Sequence, residues 1–219
     1  MNTEEKFYTC KYDRAFKKVF LNNKNKMLLR ALLESILKFE IYDIEIENNE
    51  RNTGSLNVKR KYLDAILNAN IVKVEIEVNS TMKRYLHPRN MSYLCDVYSH
   101  DVLVWDEYNE DVMYIQINLS YGLKDDKLNR IYKMMDKDGK NYVNNFIIYE
   151  LNMDRYMKFW YNGDKKIEEN KYLVMLDLQL DELENLAKDK VVSKYMETLK
   201  KINTEYKFKE YISAEEVMK

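Results

Sequence analysis

Hydrophobic and polar positions along the chain follow two different periods, and these periods predict its helices and strands. Between residues 13 and 38 the apolar positions recur at helical spacing, with a polar interruption from Asn22 to Lys26. This segment therefore predicts two helices or one broken helix. Strand patterns follow at residues 41–47, in two β-rich runs within 61–80, at 112–120 and at 144–152.

The later part of the chain returns mainly to helical patterns. A helix is expected from Pro88 to residue 100, because proline is tolerated in a first helical turn but breaks a helix interior. Residues 122–140 are expected to be a polar surface excursion. Further helices are predicted at residues 154–162 and within 178–203, and residues 204–219 form a charged tail. The order of elements predicts an α/β or α+β fold with a mixed central sheet.

The most informative chemistry lies in the pair of runs at residues 61–80. Asp64 is surrounded by apolar residues in the first run, while Glu77 and Asn79 stand two apart in the second and share one strand face. If the runs pair as a hairpin, Asp64 can reach that face, and two acids beside a polar group form a common Mg²⁺ site. Two alternatives stay open: the acids line a solvated face, or a shifted register brings Glu75 opposite Asp64.

Composition narrows the function classes. The 219 residues suit one domain or one domain with an appendage, and with 4 Gly there is neither a Walker A motif nor a G-x-G-x-x-G motif for nucleotide binding. The 2 Cys and 2 His argue against a disulfide framework and against a Cys- or His-based metal site. No signal-peptide pattern or apolar run long enough for a membrane span is found, so a cytoplasmic protein without a membrane partner is expected.

Charge distribution gives a weak indication of nucleic-acid binding. The net charge is −1, yet residues 1–38 hold nine Lys or Arg against four Asp or Glu. Arg84 and Arg89 flank the start of the predicted helix near Pro88, where they either contact DNA phosphates or simply solvate the helix. Asp13 is well placed as the N-cap of the first helix.

Several segments, taken in order, resemble the PD-(D/E)XK nuclease superfamily and, within it, the recombination-promoting nuclease and transposase family. The matching segments are YDRAFKKVF (12–20), NKMLLRALLESIL (25–37), YLDAIL (62–67), VEIEVNS (74–80), the helix with Arg89 and Tyr93, YIQINLS (114–120) and NNFIIYELNMDRYMKFW (144–160). The resemblance covers roughly residues 8–160. It implies a restriction-endonuclease-like mixed central sheet flanked by helices, with a nuclease-like domain at residues 1–165 and a C-terminal helical extension at 166–219.

The resemblance also implies site roles. Asp64 and Glu77 would be catalytic acids and ligands of Mg²⁺ or Mn²⁺, and the carbonyl of Val78 would complete the metal shell. Asn79 would occupy the position of the superfamily lysine, which this family more often fills with glutamine. An amide can orient water but adds no charge, so Asn79 is the departure that bears most on activity.

Two further positions match by motif. Asp13 matches an acid of the family's first helix and is on that ground a further candidate catalytic residue, with the N-cap role as the alternative. Lys17 matches a lysine that would face phosphate or solvent. Together with Arg84 and Arg89, Lys17 is a candidate for nucleic-acid binding. The function implied is a Mg²⁺-dependent DNA endonuclease linked to mobile-element DNA or recombination, with a homodimer as the assembly considered. The alternative is a catalytically inactive nuclease-fold module that binds DNA or protein.

Overall fold

The structure is a computed structural model that describes residues 6–46, 50–51, 61–62, 65–69, 72–101 and 111–217. Its helices are α1 (Asp13–Phe20), α2 (Lys26–Leu37), α3 (Leu86–Asp101), α4 (Met153–Tyr161), α5 (Lys171–Val174), α6 (Leu180–Glu184), α7 (Lys190–Asn203) and α8 (Tyr206–Val217). Its strands are β1 (Glu45–Ile46), β2 (Glu50–Arg51), β3 (Lys61–Tyr62), β4 (Ala65–Ala69), β5 (Val72–Asn79), β6 (Met113–Ser120), β7 (Asn129–Lys133) and β8 (Phe146–Asn152).

Backbone contacts divide the chain into two compact units. The helical unit comprises Met1–Glu40 and Tyr156–Lys219, and the sheet unit comprises Ile41–Arg155. The domain boundary predicted between residues 165 and 166 stays a prediction. None of the helices in the described part of the chain has the length and apolar character that crossing a bilayer requires.

The helical unit is built on apolar helix faces. The rings of Phe16 and Phe20 stack with centroids 4.7 Å apart, and Phe20 also contacts the buried Tyr195 of α7. The predicted break is confirmed: Asn22 accepts a hydrogen bond from the backbone of Lys24, and a short 3-10 turn precedes α2. Local side-chain bonds of this kind compete with helix continuation.

The main sheet of the other unit has the strand order β1-β4-β5-β6-β8-β7. Strands β5, β6 and β8 are parallel neighbours, while β1, β4 and β7 join antiparallel. The residues of β5 and β6 are almost all buried, as is typical of central parallel strands. Strands β2 and β3 form a separate two-stranded sheet. The predicted mixed α/β fold is confirmed.

Most predicted elements are present, but their limits differ in places. Of the described residues in the strand predicted at 41–47, only Glu45–Ile46 form a regular strand. Ile41 and Ile44 are both buried, at a spacing of three rather than the two of a regular strand. Asp13 is the first residue of α1 rather than its N-cap, and its carboxylate instead accepts a hydrogen bond from Lys17.

Two segments carry regular structure that the local hydrophobic patterns did not predict. The polar excursion contains β7, an edge strand whose five residues are all exposed and which therefore shows no alternating pattern. The charged tail contains α8. Phe208 and Ile212 of α8, four residues apart on one helix face, are both buried.

Candidate active site

A buried polar surface crosses the three parallel strands, and we call it the polar sheet face. Residues that are paired across β5, β6 and β8 form three successive rows on this face. The first row is Glu75 and Gln116, the second is Glu77, Asn118 and Glu150, and the third is Asn79, Ser120 and Asn152. Each of these side chains is at most 5% exposed. The solvated-face interpretation of Glu75, Glu77 and Asn79 is therefore wrong. Polar groups buried to this extent are stable only when hydrogen-bonded, so their partners define the site.

Alternation along each strand creates this face. In β5 the residues Val74, Ile76 and Val78 project to one side, and the polar side chains at the intervening positions project to the other. In β6 the apolar residues Ile115 and Ile117 alternate in the same way with amides. One side of the sheet is consequently apolar, and the opposite side presents carboxylates and amides.

Helix α3 covers the polar sheet face. Its Leu86, Asn90, Leu94 and Val97 are each at most 2% exposed, at the spacing of one helix face. Leu94 and Val97 pack with Tyr114 at the start of β6. This apolar anchor fixes the first turns of the helix above the strand ends that carry the acids.

Arg89 links α3 to β5 by charge-assisted hydrogen bonds. Its Nη2 donates to Oε2 of Glu77 at 3.1 Å and to Oδ1 of Asn79 at 2.7 Å. Its guanidinium also donates to Asn90 and lies over the ring of Tyr93, 5.5 Å from the ring centroid. A buried carboxylate requires such a partner, because an isolated ionised group is costly to remove from water.

Amide side chains connect the remaining rows. Asn90 Nδ2 donates to Oδ1 of Asn118 at 2.9 Å, and Asn118 Nδ2 donates to Oε2 of Glu150 at 3.3 Å. Gln116 Nε2 donates to both the Glu75 carboxylate and the backbone oxygen of Asn90. Gln116 therefore lies on the polar sheet face, and a continuous network joins Arg89 to Glu150.

Glu150 has a perturbed acidity. Burial raises the pKa of its carboxyl group, and hydrogen bonds from Ser120 and Asn118 together with the nearby His87 oppose that rise in part. His87 Nε2 lies 3.6 Å from Oε2 of Glu150, although the His87 side chain is 59% exposed. Ionisable groups perturbed by burial and by a specific partner are concentrated at functional sites.

The amide of Asn79 is held at both ends. Its Oδ1 accepts from Arg89, and its Nδ2 donates to the hydroxyl of Ser120 at 3.1 Å. These two partners fix which end of the amide faces the helix. An amide has two N–H donors and two acceptor lone pairs, and these two partners among the described residues use one of each.

The donor set at the end of β5 fits a hard divalent cation in its chemistry. Carboxylate and carbonyl oxygens are the ligands that Mg²⁺ and Mn²⁺ prefer, and Glu77 offers the former beside the backbone of Val78. Within the described ranges, no cluster of three or more His, Cys, Asp or Glu side chains could hold a metal by itself. A metal site at Glu77 would therefore need a further ligand, and the predicted one, Asp64, lies outside the described residues.

The other predicted site residues are placed as follows. Asp13 and Lys17 belong to the helical unit, where they form an ion pair at 2.9 Å on α1. Arg84 is exposed just before α3, whereas Arg89 is part of the polar network.

Asn90, Asn118 and Glu150 were not predicted as site residues from the sequence. Gln116, Asn118 and Ser120 alternate with apolar residues in the middle of β6, and this pattern was the signal that could have located the network.

Comparison with known proteins agrees with this architecture. None of the curated proteins and none of the solved structures matches the chain significantly. One family model does match, and it covers residues 10–219, almost the entire chain, so the resemblance predicted from the sequence is confirmed. The family is nuclease- and transposase-related, and a restriction-endonuclease-like fold is consistent with the mixed sheet. The chain belongs to the PD-(D/E)XK nuclease family of transposases.

Proposed function

We propose that the protein is a Mg²⁺- or Mn²⁺-dependent endonuclease that hydrolyses phosphodiester bonds in DNA. The observation that carries the proposal is the buried pair Glu77 and Asn79 at the carboxyl end of β5, both bound by Arg89. Ligand and catalytic sites of α/β proteins are found at the carboxyl ends of parallel strands. Family membership supports a nuclease-related role in general, and this site supports its chemistry.

The strand register favours Glu77 as the partner of Asp64. In the antiparallel pairing of β4 with β5, Ala65 lies opposite Ile76 and Ile66 lies opposite Glu75. Asp64 directly precedes Ala65 in the chain, and Glu77 directly follows Ile76. Glu75 is committed to a different contact, since its carboxylate accepts from Gln116.

The carboxylates of Asp64 and Glu77 and the carbonyl oxygen of Val78 would hold the cation. When bound, such a cation lowers the pKa of a coordinated water and neutralises charge on the scissile phosphate. The chain's own contribution is to place these oxygens on a rigid central strand and to cover them with α3, so that little reorganisation accompanies the reaction.

Arg89 supplies the positive charge that Asn79 lacks. The superfamily lysine would stand at position 79, and here the guanidinium of Arg89 lies 2.7 Å from the amide oxygen at that position. Arginine carries a permanent charge and fits phosphate oxygens with paired donors. We therefore assign to Arg89 the stabilisation of negative charge that develops on the phosphate, while Asn79 orients the attacking water through its remaining donor and lone pair.

Binding of the DNA backbone is assigned to basic groups outside the buried network. Arg84 is exposed, and Lys17 lies on α1 beside Asp13, whose carboxylate orients its ammonium group. Contacts of this kind neutralise phosphates without reading sequence, so binding should weaken as salt increases. We place the activity in the cytoplasm, in recombination or mobile-element DNA processing, and retain a homodimer as the assembly to be tested.

A plasmid-nicking assay tests this function. Wild-type protein should convert supercoiled plasmid to nicked or linear DNA in Mg²⁺ or Mn²⁺ but not in EDTA. Asp64→Asn and Glu77→Gln should each lower the rate by about 100-fold or more, the scale on which one electrostatic contribution acts. Asp126→Asn changes a carboxylate whose side chain is 77% exposed and serves as the matched control. Metal-dependent cutting that survives both site substitutions would disprove the assignment.

A catalytically inactive binding module is the second candidate. The observation that favours it is the ion pair between Arg89 and Glu77, which neutralises the carboxylate that the metal requires. In that case the protein binds DNA or another protein but cuts no DNA with any divalent cation. Retained DNA binding without nicking, in wild type and variants alike, would establish this alternative.

A further inference from the structure

A cavity of about 310 Å³ opens on the polar sheet face, beside the proposed metal site. It lies between α3 and strands β6, β7 and β8, and all of its lining residues belong to the sheet unit. Asn118 connects the two sites, because it is the strand neighbour of Glu77 on one side and of Glu150 on the other. The cavity has the size of a small-molecule or cofactor site at the lower end of the usual range, about 300–1,000 Å³.

Two of the polar residues that line the cavity, Gln116 and Glu150, each have a buried acceptor atom. Glu150 is 5% exposed and Gln116 is fully buried, yet Oε1 of each has no hydrogen-bond partner within the part of the chain that the structure describes. The orientation of the Gln116 amide is fixed, since its Nε2 already donates to Glu75 and to the backbone of Asn90. Buried polar atoms are nearly always satisfied, so these two acceptors call for a ligand with N–H donors.

The remaining walls are apolar and suit a flat ring. Met91 of α3, Ile148 of β8 and the ring of Tyr132 line the cavity, and a second cavity of about 150 Å³ continues past the same three residues towards Phe146. Tyr132 is 48% exposed at the mouth. Aromatic and apolar walls combined with amide and carboxylate groups at one end are the features with which proteins hold an extrahelical base.

We propose that this cavity binds one unpaired nucleobase of the DNA substrate, and that guanine fits it best. Guanine presents two adjacent donors, N1–H and N2–H, to which the Glu150 carboxylate can accept in parallel. Adenine and cytosine each offer one exocyclic amino group, and thymine offers one ring N–H. The proposal rests on the proposed nuclease function, and it adds that the substrate has an unpaired or locally opened nucleotide next to the scissile phosphate.

The row that contains Glu77 and Glu150 is acidic and can also attract a cation. The test must therefore distinguish cation binding from base binding. A cation would use the carboxylates of Glu77 and Glu150 together, and binding would then require divalent metal. Base binding requires none. The two explanations are therefore distinguished by measuring DNA binding in EDTA.

The experiment measures equilibrium binding of fluorescein-labelled duplexes by anisotropy in EDTA. One duplex is fully paired, and the others carry a single-nucleotide G, A, C or T bulge, because an unpaired base costs least to extrude. Wild-type protein should bind the G bulge about tenfold or more tightly than the other bulges and the paired duplex, the discrimination expected of a bidentate contact. Glu150→Gln should abolish the preference for guanine, since its amide presents a donor towards N2–H.

A second substitution distinguishes the walls from the polar end. Tyr132→Ala should weaken binding of all four bulges by about tenfold, through lost stacking, and leave the paired duplex unchanged. Tyr142→Ala alters a tyrosine that is 82% exposed and does not line the cavity, so it should change nothing.

Three results would overturn the proposal. They are equal binding of paired and bulged DNA, an unchanged guanine preference in Glu150→Gln, and bulge binding that appears only with divalent metal. Plasmid nicking in Mg²⁺ is scored separately. Nicking without a bulge preference would disprove the base pocket alone. A guanine preference without nicking would disprove the nuclease function but support the pocket.

Discussion

The ion pair between Arg89 and Glu77 gives the sharpest quantitative prediction. Glu77 is 2% exposed, and Arg89 is the cation that donates to it, at 3.1 Å. Replacing Arg89 by Met retains much of the apolar stem but leaves a buried carboxylate without this charge. Breaking a buried ion pair from one side costs about 3–5 kcal/mol. Because 34% of the Arg89 side chain is exposed, solvent screens the pair and we expect a smaller cost, about 2–3 kcal/mol.

A double-mutant cycle separates this effect from lost packing. Glu77→Gln removes the charge but retains the shape, and it should cost less, about 1 kcal/mol, because the partly exposed arginine remains in contact with water. The double variant Arg89→Met/Glu77→Gln has no uncompensated charge. Its loss of stability should be smaller than the sum of the two single losses by about 1–2 kcal/mol.

Urea denaturation followed by circular dichroism supplies the four free energies of unfolding, provided that the slopes agree. The matched control is Arg84→Met, which removes an exposed arginine five residues earlier and should change stability by less than about 0.5 kcal/mol. Additive effects of the two site substitutions would refute the claim that Arg89 is the charge partner of Glu77. A loss for Arg84→Met as large as that for Arg89→Met would refute it equally.

Three further predictions concern other parts of the chain. Asn203→Ala should destabilise the protein by about 2–4 kcal/mol in the same urea assay, because the buried Asn203 amide binds both the N–H and the C=O of Tyr8 and both would lose their partner. In thiol labelling of the native protein, the exposed Cys95 should react and Cys10 should not, because burial raises the pKa of Cys10 to about 12. Both cysteines should react in urea. Fast labelling of Cys10 in the native protein would contradict its burial. Burial raises the pKa of Glu150, so stability associated with its protonated form is present below the unfolded-state pKa and is lost as pH rises through the folded-state pKa. Glu150→Gln should therefore gain stability relative to wild type as pH rises from the unfolded-state pKa through the folded-state pKa, and a pH-independent difference would contradict this.

Local sequence patterns predicted those helices and strands in which apolar residues recur at a regular spacing. The alternation in VMYIQINLS and the apolar spacing from Phe16 to Leu37 were sufficient to place β6, α1 and α2. Strand β7 was not predicted, because all five of its residues are exposed and no alternation of buried and exposed positions marks its pairing with β8. Edge strands of this kind leave little trace in the sequence.

The candidate site was only half predictable for a different reason. Glu77 and Asn79 stood out because they are polar residues within a β-rich run, and Arg89 was a candidate because of its charge. Glu150 lies 73 residues after Glu77 in the chain, and only the parallel register through Asn118 brings the two into one row. Long-range register is set by the crossover connections and the packing of α3, neither of which a local pattern contains.

The central claim is that Asp64 and Glu77 together hold a catalytic divalent cation at the end of β5. Anomalous diffraction from crystals of the protein grown with Mn²⁺ tests it most directly. We expect an anomalous peak about 2.1 Å from a carboxylate oxygen of Glu77 and from one of Asp64, and its loss in Glu77→Gln crystals. Saturating Mn²⁺ that gives no peak at Glu77, with Arg89 still bound to its carboxylate, would contradict the account.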